Sequence, residues 1–412
     1  MSPWTKKKRN AAAATPDAAA GRDPVARPPI RALKPPTLSL PVEIVRGDWT
    51  VIILALMMFL APAVGVPHEE MLQDTLKSVV VAFGALFAGL LFFWSQRRRH
   101  DELRWHALVW LPLMLMAYAL GSMVWSHTYL GGVEAVRWFL FTLIVWLGVN
   151  TISRDRFPML AWGVHWGAVL TSLWTALQFW IDFKYFPQGP PPASTFVNRN
   201  FFAEFAVCTL PFSAYLLARS KESAKVALMS FTSAFVVVCV LMTGTRGAMT
   251  SMYLMLAVFF PLIGWLYRKQ FAFSGWDAGK RILALGIFAA SVLGMGMIKS
   301  GNAVWIATYD GVPPTAFTRA LSRTQSISTE DGSLGVRFIM WKATSTILQK
   351  RPLSGVGAGA WEVQIPLFQR DYTTSETEYY AHNEYLQMMA DYGWAGLALV
   401  AAVLIFHLLN GG

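Results

Sequence analysis

About ten apolar stretches, each close to the roughly 20 residues a helix needs to cross the hydrocarbon of a bilayer, limit this chain's fold more than any other feature. They lie near 49–67, 78–95, 105–125, 133–152, 157–181, 200–218, 226–243, 247–267, 282–298 and 392–409. Within hydrocarbon each backbone N–H and C=O must find a partner in its own segment, and for runs of this length that form is the helix. The expected class is an all-α polytopic membrane protein, a bundle of about ten or more transmembrane helices with one large outer loop that contains helices of its own. Composition agrees. With 55% hydrophobic and 14% charged residues, a soluble domain of 412 residues could not bury so much apolar surface.

The formal charge of +11 suggests nucleic acid only until the basic residues are placed. Arg97, Arg98, Arg99 and Arg104, then Arg154 and Arg156, then Arg219, Lys221 and Lys225, then Arg268, Lys269, Lys280 and Arg281 occupy alternate connections. They share one side of the membrane, the cytoplasmic one by the positive-inside rule. Opposite lie 68–77, 126–132, a proline-rich 182–199, the tight Gly244-Thr245-Arg246 turn and the long polar stretch 299–391. Four regions follow: a basic cytoplasmic tail at 1–48, transmembrane helices one to nine at 49–298, a large periplasmic loop at 299–391, and a final transmembrane helix at 392–412. The tail holds Lys6-Lys7-Lys8-Arg9, an alanine run and scattered prolines, cannot bury a core, and reads as disordered. No apolar run follows within signal-peptide distance, and the tail's cations suit anionic inner-leaflet lipid. Membrane lipid is an expected partner; nucleic acid is not. Cys208 and Cys239 sit in apolar runs without partner spacing and read as core residues.

The outer loop has internal order. Gly335 to Gln349 has helical spacing, with Arg337, Trp341, Thr344, Ser345 and Leu348 on one face, and Pro352 ends it. Gly355-Val356-Gly357-Ala358-Gly359 permits a tight backbone turn or the close approach of a ligand; it lacks the spacing and strand context of a dinucleotide site. His382-Asn383-Glu384-Tyr385-Leu386-Gln387 reads as a helix with His382, Leu386 and Met389 on one face. His165, beside Trp162 and Trp166 in an apolar run, reads as a satisfied core histidine, with a functional role as the lesser alternative.

Four separated segments resemble the O-antigen ligase and polymerase superfamily. Thr195 to Ala203 (TFVNRNFFA) resembles its asparagine-containing helix start, and Thr243 to Ala248 (TGTRGA) its small-residue, Arg-Gly turn between two helices. Ser333 to Trp341, continuing through Pro352 to Gly357, is similar to its periplasmic-loop signature. His382 to Gln387 with Asp391 to Gly396 is similar to its histidine-asparagine segment. The resemblance spans roughly residues 130 to 400. It implies a glycosyltransferase of the helical integral-membrane, GT-C-like type in the bacterial inner membrane, acting at the periplasmic face. Its donor is a glycan on undecaprenyl pyrophosphate, and its acceptor is lipid A-core (ligase) or a growing glycan (polymerase). No nucleotide sugar and no cofactor enter. The chain departs from the family pattern in its basic tail and in stopping at Asn410-Gly411-Gly412, where members usually continue with further helices.

The residues can be set against what such a transfer needs. A sugar leaving pyrophosphate puts negative charge on phosphate oxygens, and fixed cations aimed there lower the barrier. Arginine suits this because its planar fork binds phosphate through paired hydrogen bonds. Arg246, Arg337 and Arg137, the last beside Glu134, are the candidates, against a plainer role as interfacial anchors. No Asp-x-Asp pair or histidine-carboxylate set has metal-ligand spacing on the outer side, so a metal-independent reaction is expected. The acceptor hydroxyl must give up a proton, and an imidazole, titrating near neutrality, can take it; His382 is the candidate base. Glu384 and Glu378 are fallback carboxylates. Asn383 is a candidate to orient His382 or bind sugar hydroxyls. Asn198 and Asn200 either cap a helix or touch carrier or sugar. Trp341 and Trp361 are candidate stacking platforms. A transporter of lipid-linked glycan is the competing class, disfavoured by the lack of internal inverted repeats or charged intramembrane relays; a non-catalytic scaffold is a third.

Overall fold

A computed structural model describes residues 49–68, 71–99, 102–186, 189, 191–325, 332–368 and 380–410. In chain order the helices are α1 (Trp49–Ala63), α2 (Gln73–Arg99), α3 (Trp110–Ser126), α4 (Leu130–Thr151), α5 (Phe157–Trp180), α6 (Arg199–Arg219) and α7 (Ser223–Thr243). Then come α8 (Arg246–Leu254), α9 (Phe260–Leu266), α10 (Ala278–Gly296), α11 (Ala303–Thr308), α12 (Ala316–Gln325), α13 (Gly332–Lys350), α14 (Trp361–Gln364) and α15 (Glu384–Asn410). A π-helical turn, Met255–Phe259, joins α8 to α9 as one rod. The protein is an all-α polytopic membrane protein, and among the described residues seven helices are long and apolar enough to span.

Three of the ten expected spans differ. α1 is 15 residues long and holds Pro62. α5 runs 24 residues but is diluted by His165, Gln178, threonines and tryptophans; it packs on α1, α6 and α7, so its face needs no uniform apolarity. α15 is interrupted at Gly393, whose backbone (φ 67, ψ −170) is not helical. The expected span from residue 78 starts earlier, at Gln73, because Lys77 belongs to the helix and not to a loop. Its Nζ donates to the carbonyls of Ala61, Pro62 and Val64 at 2.9 to 3.3 Å, groups that the end of α1 leaves without intrahelical partners.

The main core lies between α5, α6, α7, α8 and α12, around Phe179, Phe202, Val238, Met242 and Met249. A second, smaller core lies in the segment after α10. Met340, Ala343 and Ile347 of α13 pack on Val356, Trp361, Ile365, Ala381 and Ala390. The glycine run closes this core. Val356 N–H donates to Ala390 O at 2.8 Å and Gly357 N–H to Asp391 O at 3.0 Å. A Cβ on Gly357 would stand 2.4 Å from Ser126 Cβ, and one on Gly355 2.4 Å from Ala390 O. The glycines therefore serve backbone-to-backbone packing, the structural one of the two expectations.

The small core is docked on α3 and α4. Ala358 N–H donates to Ser122 Oγ at 3.0 Å, Trp138 Nε1 donates to Tyr392 Oη at 2.7 Å, and Tyr118 Oη donates to Ser354 O.

Candidate functional site

The ends of α1, α3, α5, α7 and α10 and the starts of α2, α4, α6 and α8 lie at the same end of the bundle as the folded loop. Here the first two turns of α6 gather most of the expected residues.

Asn198 is the N-cap of α6: its side-chain oxygen accepts from Asn200 N–H at 2.9 Å. Of the two expectations for Asn198, capping is the one the geometry carries. Asn200 reaches sideways instead, its Oδ1 accepting from Thr245 Oγ1 at 3.0 Å. Thr245 follows Gly244, which ends α7 in the left-handed region (φ 64), and precedes Arg246, the first residue of α8. The Arg246 turn and the α6 start are thereby one joint.

Three arginines converge on this joint, and none was expected from the sequence. Arg319 of α12 is 1% exposed; its Nε and Nη2 donate to Met242 O and Thr243 O, both at 2.6 Å. Its guanidinium lies 3.3 Å from the centroid of the Trp305 ring, with Arg199 5.2 Å from the same ring. Arg323 Nε donates to Gly244 O at 3.4 Å. Burial, then the charges of Arg199 and Arg323, lower Arg319 to about 9, which leaves it protonated at neutral pH. Among the described residues no ion pair joins an acid to Arg199 or Arg319. Like charges held together in this way attract an anion. Arg199 stood in plain view in the asparagine segment; Arg319 and Arg323 lay in a stretch without motif, and only the packing of α12 on α7 reveals them.

One turn further along α6, Phe201 meets Tyr380 edge to face at 6.5 Å, and Glu204 interacts electrostatically with Arg337, His382 and Glu384. Tyr380 also feels Asp74, Arg137, Glu362 and Glu384; burial first, then the net of those charges, raises its phenol above the ordinary value. Arg137 donates to Glu134 from an exposed position.

Two expectations need correction, the helical setting of His382 and the open face of Trp361. His382 is not in a helix: it is exposed, in the left-handed region (φ 52), ahead of α15, which begins at Glu384, so it shares no helical face with Leu386 and Met389. Asn383 spends its side-chain oxygen as a cap, accepting from Leu386 N–H at 3.2 Å. Trp341 Nε1 donates to Ala381 O at 2.9 Å, and its ring lies against Phe338. Trp361 is wholly buried and donates to Thr344 Oγ1 at 3.0 Å, so no sugar reaches its face. Glu378 lies outside the described residues. His165, buried between Ser213 Oγ at 2.8 Å and Thr232 Oγ1 at 3.0 Å, is a satisfied core residue as expected. Among the described residues no three His, Cys, Asp or Glu side chains converge as metal ligands would.

A bundle of apolar helices that collects arginines, a histidine and carboxylates at one end, beneath a folded polar segment, defines a multi-pass membrane protein with its polar site at one end of the bundle. Residues 231–401 match the family model described as O-antigen ligase, so this part of the chain is similar to that family. The matched segment carries Arg246, Arg319, Arg337 and His382, whereas Arg137, Asn200 and Glu204 precede it. The match supports ligase- or polymerase-type glycosyl transfer, with a lipid-linked glycan and an acceptor as partners in general. No curated protein and no solved structure gives a significant match.

Proposed function

We propose that the protein is an O-antigen ligase-type glycosyltransferase that moves a glycan from undecaprenyl pyrophosphate to lipid A-core at the periplasmic face of the inner membrane. The observation that carries this reading is the convergence on α6: Asn200 is bonded to the turn of Arg246, and Glu204 interacts with both Arg337 and His382. The arginine-rich joint sits where α6 and α8 begin, and helix starts add their own partial positive charge. The pyrophosphate of the donor is seated there, with Arg246 and Arg337 facing the oxygens that gain charge as the sugar departs. His382 takes the proton of the acceptor hydroxyl as that oxygen attacks the sugar's anomeric carbon. Arginine does the work of charge stabilisation, and no metal enters the scheme.

Purified full-length protein in proteoliposomes, given a synthetic polyprenyl-diphosphate-linked saccharide and lipid A-core without any gradient, is expected to form the glycosylated acceptor. Movement of the donor lipid without covalent transfer would instead make it a transporter. His382→Ala is expected to lose at least about a hundredfold in rate, the lower end of what a general base contributes; retention of more than about a tenth of the activity would remove that role. In a deletion strain, loss of long chains from lipid A-core with carrier-linked polymer accumulating identifies a ligase; single-repeat products identify a polymerase using the same donor.

A further inference from the structure

Glu204, the one acidic residue of α6, lies in the second turn of the helix and is exposed at that end of the bundle. Phe201 and Glu204 are three residues apart on α6, hence on the same face, and Phe201 lies against Tyr380, two residues before His382. The backbone between them is fixed from both sides. Ala381 O accepts from Trp341 Nε1 at 2.9 Å, Ala381 N–H donates to Gln387 Oε1 at 3.0 Å, and Asn383 caps α15. The backbone of His382 is thus fixed two residues from a contact with the α6 face that bears Glu204. The charged groups facing Glu204 are Arg337 from α13, Glu384 from the start of α15, and His382 itself.

We propose that Glu204 is the positioning residue for His382, its carboxylate orienting the imidazole and balancing the positive charge the ring acquires in the transfer. The inference rests on the reading of His382 as the base. In the step concerned, the acceptor oxygen forms a bond to the anomeric carbon while the bond from that carbon to the pyrophosphate oxygen breaks. The leaving pyrophosphate keeps that electron pair, and the acceptor's proton passes to His382. The imidazolium so formed faces a carboxylate instead of only Arg337, whose charge would oppose it. Glu204 takes no proton and touches no substrate; it acts through His382, as a carboxylate does when it holds a catalytic imidazole in its working orientation.

The test uses the full-length enzyme in proteoliposomes with a synthetic polyprenyl-diphosphate-linked saccharide and lipid A-core, and compares Glu204→Gln, Glu204→Asp and His382→Ala. Size-exclusion profile and melting temperature establish that each variant is folded. Glu204→Gln is expected to lower kcat at least about tenfold with donor KM little changed, as loss of an interaction that serves the chemical step does. Glu204→Asp is expected to recover part of kcat. An unchanged kcat in Glu204→Gln would overturn the proposal. So would a rise in donor KM alone, which assigns the carboxylate to holding Arg337. An active His382→Ala removes the base and the proposal together, whereas an inactive His382→Ala beside an unaltered Glu204→Gln removes only the latter.

Discussion

Thr245 Oγ1 donates to Asn200 Oδ1 across 3.0 Å, so the turn presenting Arg246 and the helix start presenting Arg199 are held as one piece. Asn200→Ala and Thr245→Val are each expected to cost about 1 kcal/mol, the usual worth of one such bond, and to raise the donor KM. Melting curves of both single variants and the double variant check it: a coupling near zero would show that the bond does not join the two elements.

Arginine and lysine carry equal charge but differ in the paired hydrogen bonds they offer phosphate. Arg246→Lys and Arg337→Lys are expected to retain the fold and to lose about tenfold or more in kcat/KM, each ~1.4 kcal/mol of lost stabilisation making a factor of ten. Transfer assays with titrated donor decide this, and full activity of both lysine variants would mean the cations serve only as interfacial anchors.

A Cβ on Gly393 would lie 2.1 Å from Leu353 O, and the residue's φ of 67 already disfavours side chains. Gly393→Ala is expected to destabilise the folded loop by about 1–3 kcal/mol or more, seen as faster cleavage between residues 351 and 383 in limited proteolysis. Gly121, in α3 with open space around its Cβ position, is the control: Gly121→Ala should leave the cleavage rate unchanged.

Asp391 is buried, accepting from Trp361 N–H at 2.9 Å, and burial holds its carboxyl well above the ordinary 3.8. The folded protein therefore binds this proton more tightly than the unfolded chain. Its contribution to stability is greatest in acid and declines as pH rises from 3.8 toward the raised value. Asp391→Asn keeps an oxygen for Trp361 without a charge to bury, so it should match or exceed the parent's melting temperature at pH 7 and show a flatter dependence on pH. A variant that melts lower at pH 7 and keeps the parent's pH dependence would refute this.

The spans were legible because hydrocarbon permits no other backbone form: helix starts such as Asn198 and stops such as Gly244 carry their own local chemistry. Arg246, Arg337 and His382 were legible through short motifs. What the sequence withheld depends on contacts between distant elements. Arg319 had no motif, and its burial arises from α12 docking against the end of α7. Trp341 and Trp361 looked like exposed aromatics because nothing local says that α13, the glycine run and α15 form a core around them. His382 was misread as helical because Asn383, one residue on, takes the capping position.

Gly393 divides α15 into two working parts. The part before it, with Ala390 and Asp391, is built into the loop core; the part after it is apolar and runs on with the bundle. The loop core is thus fastened to its last helix by a single bent residue, with no slack tether between them. A displacement of the apolar part of α15 must therefore be absorbed at Gly393 or passed on to the part that starts at Glu384.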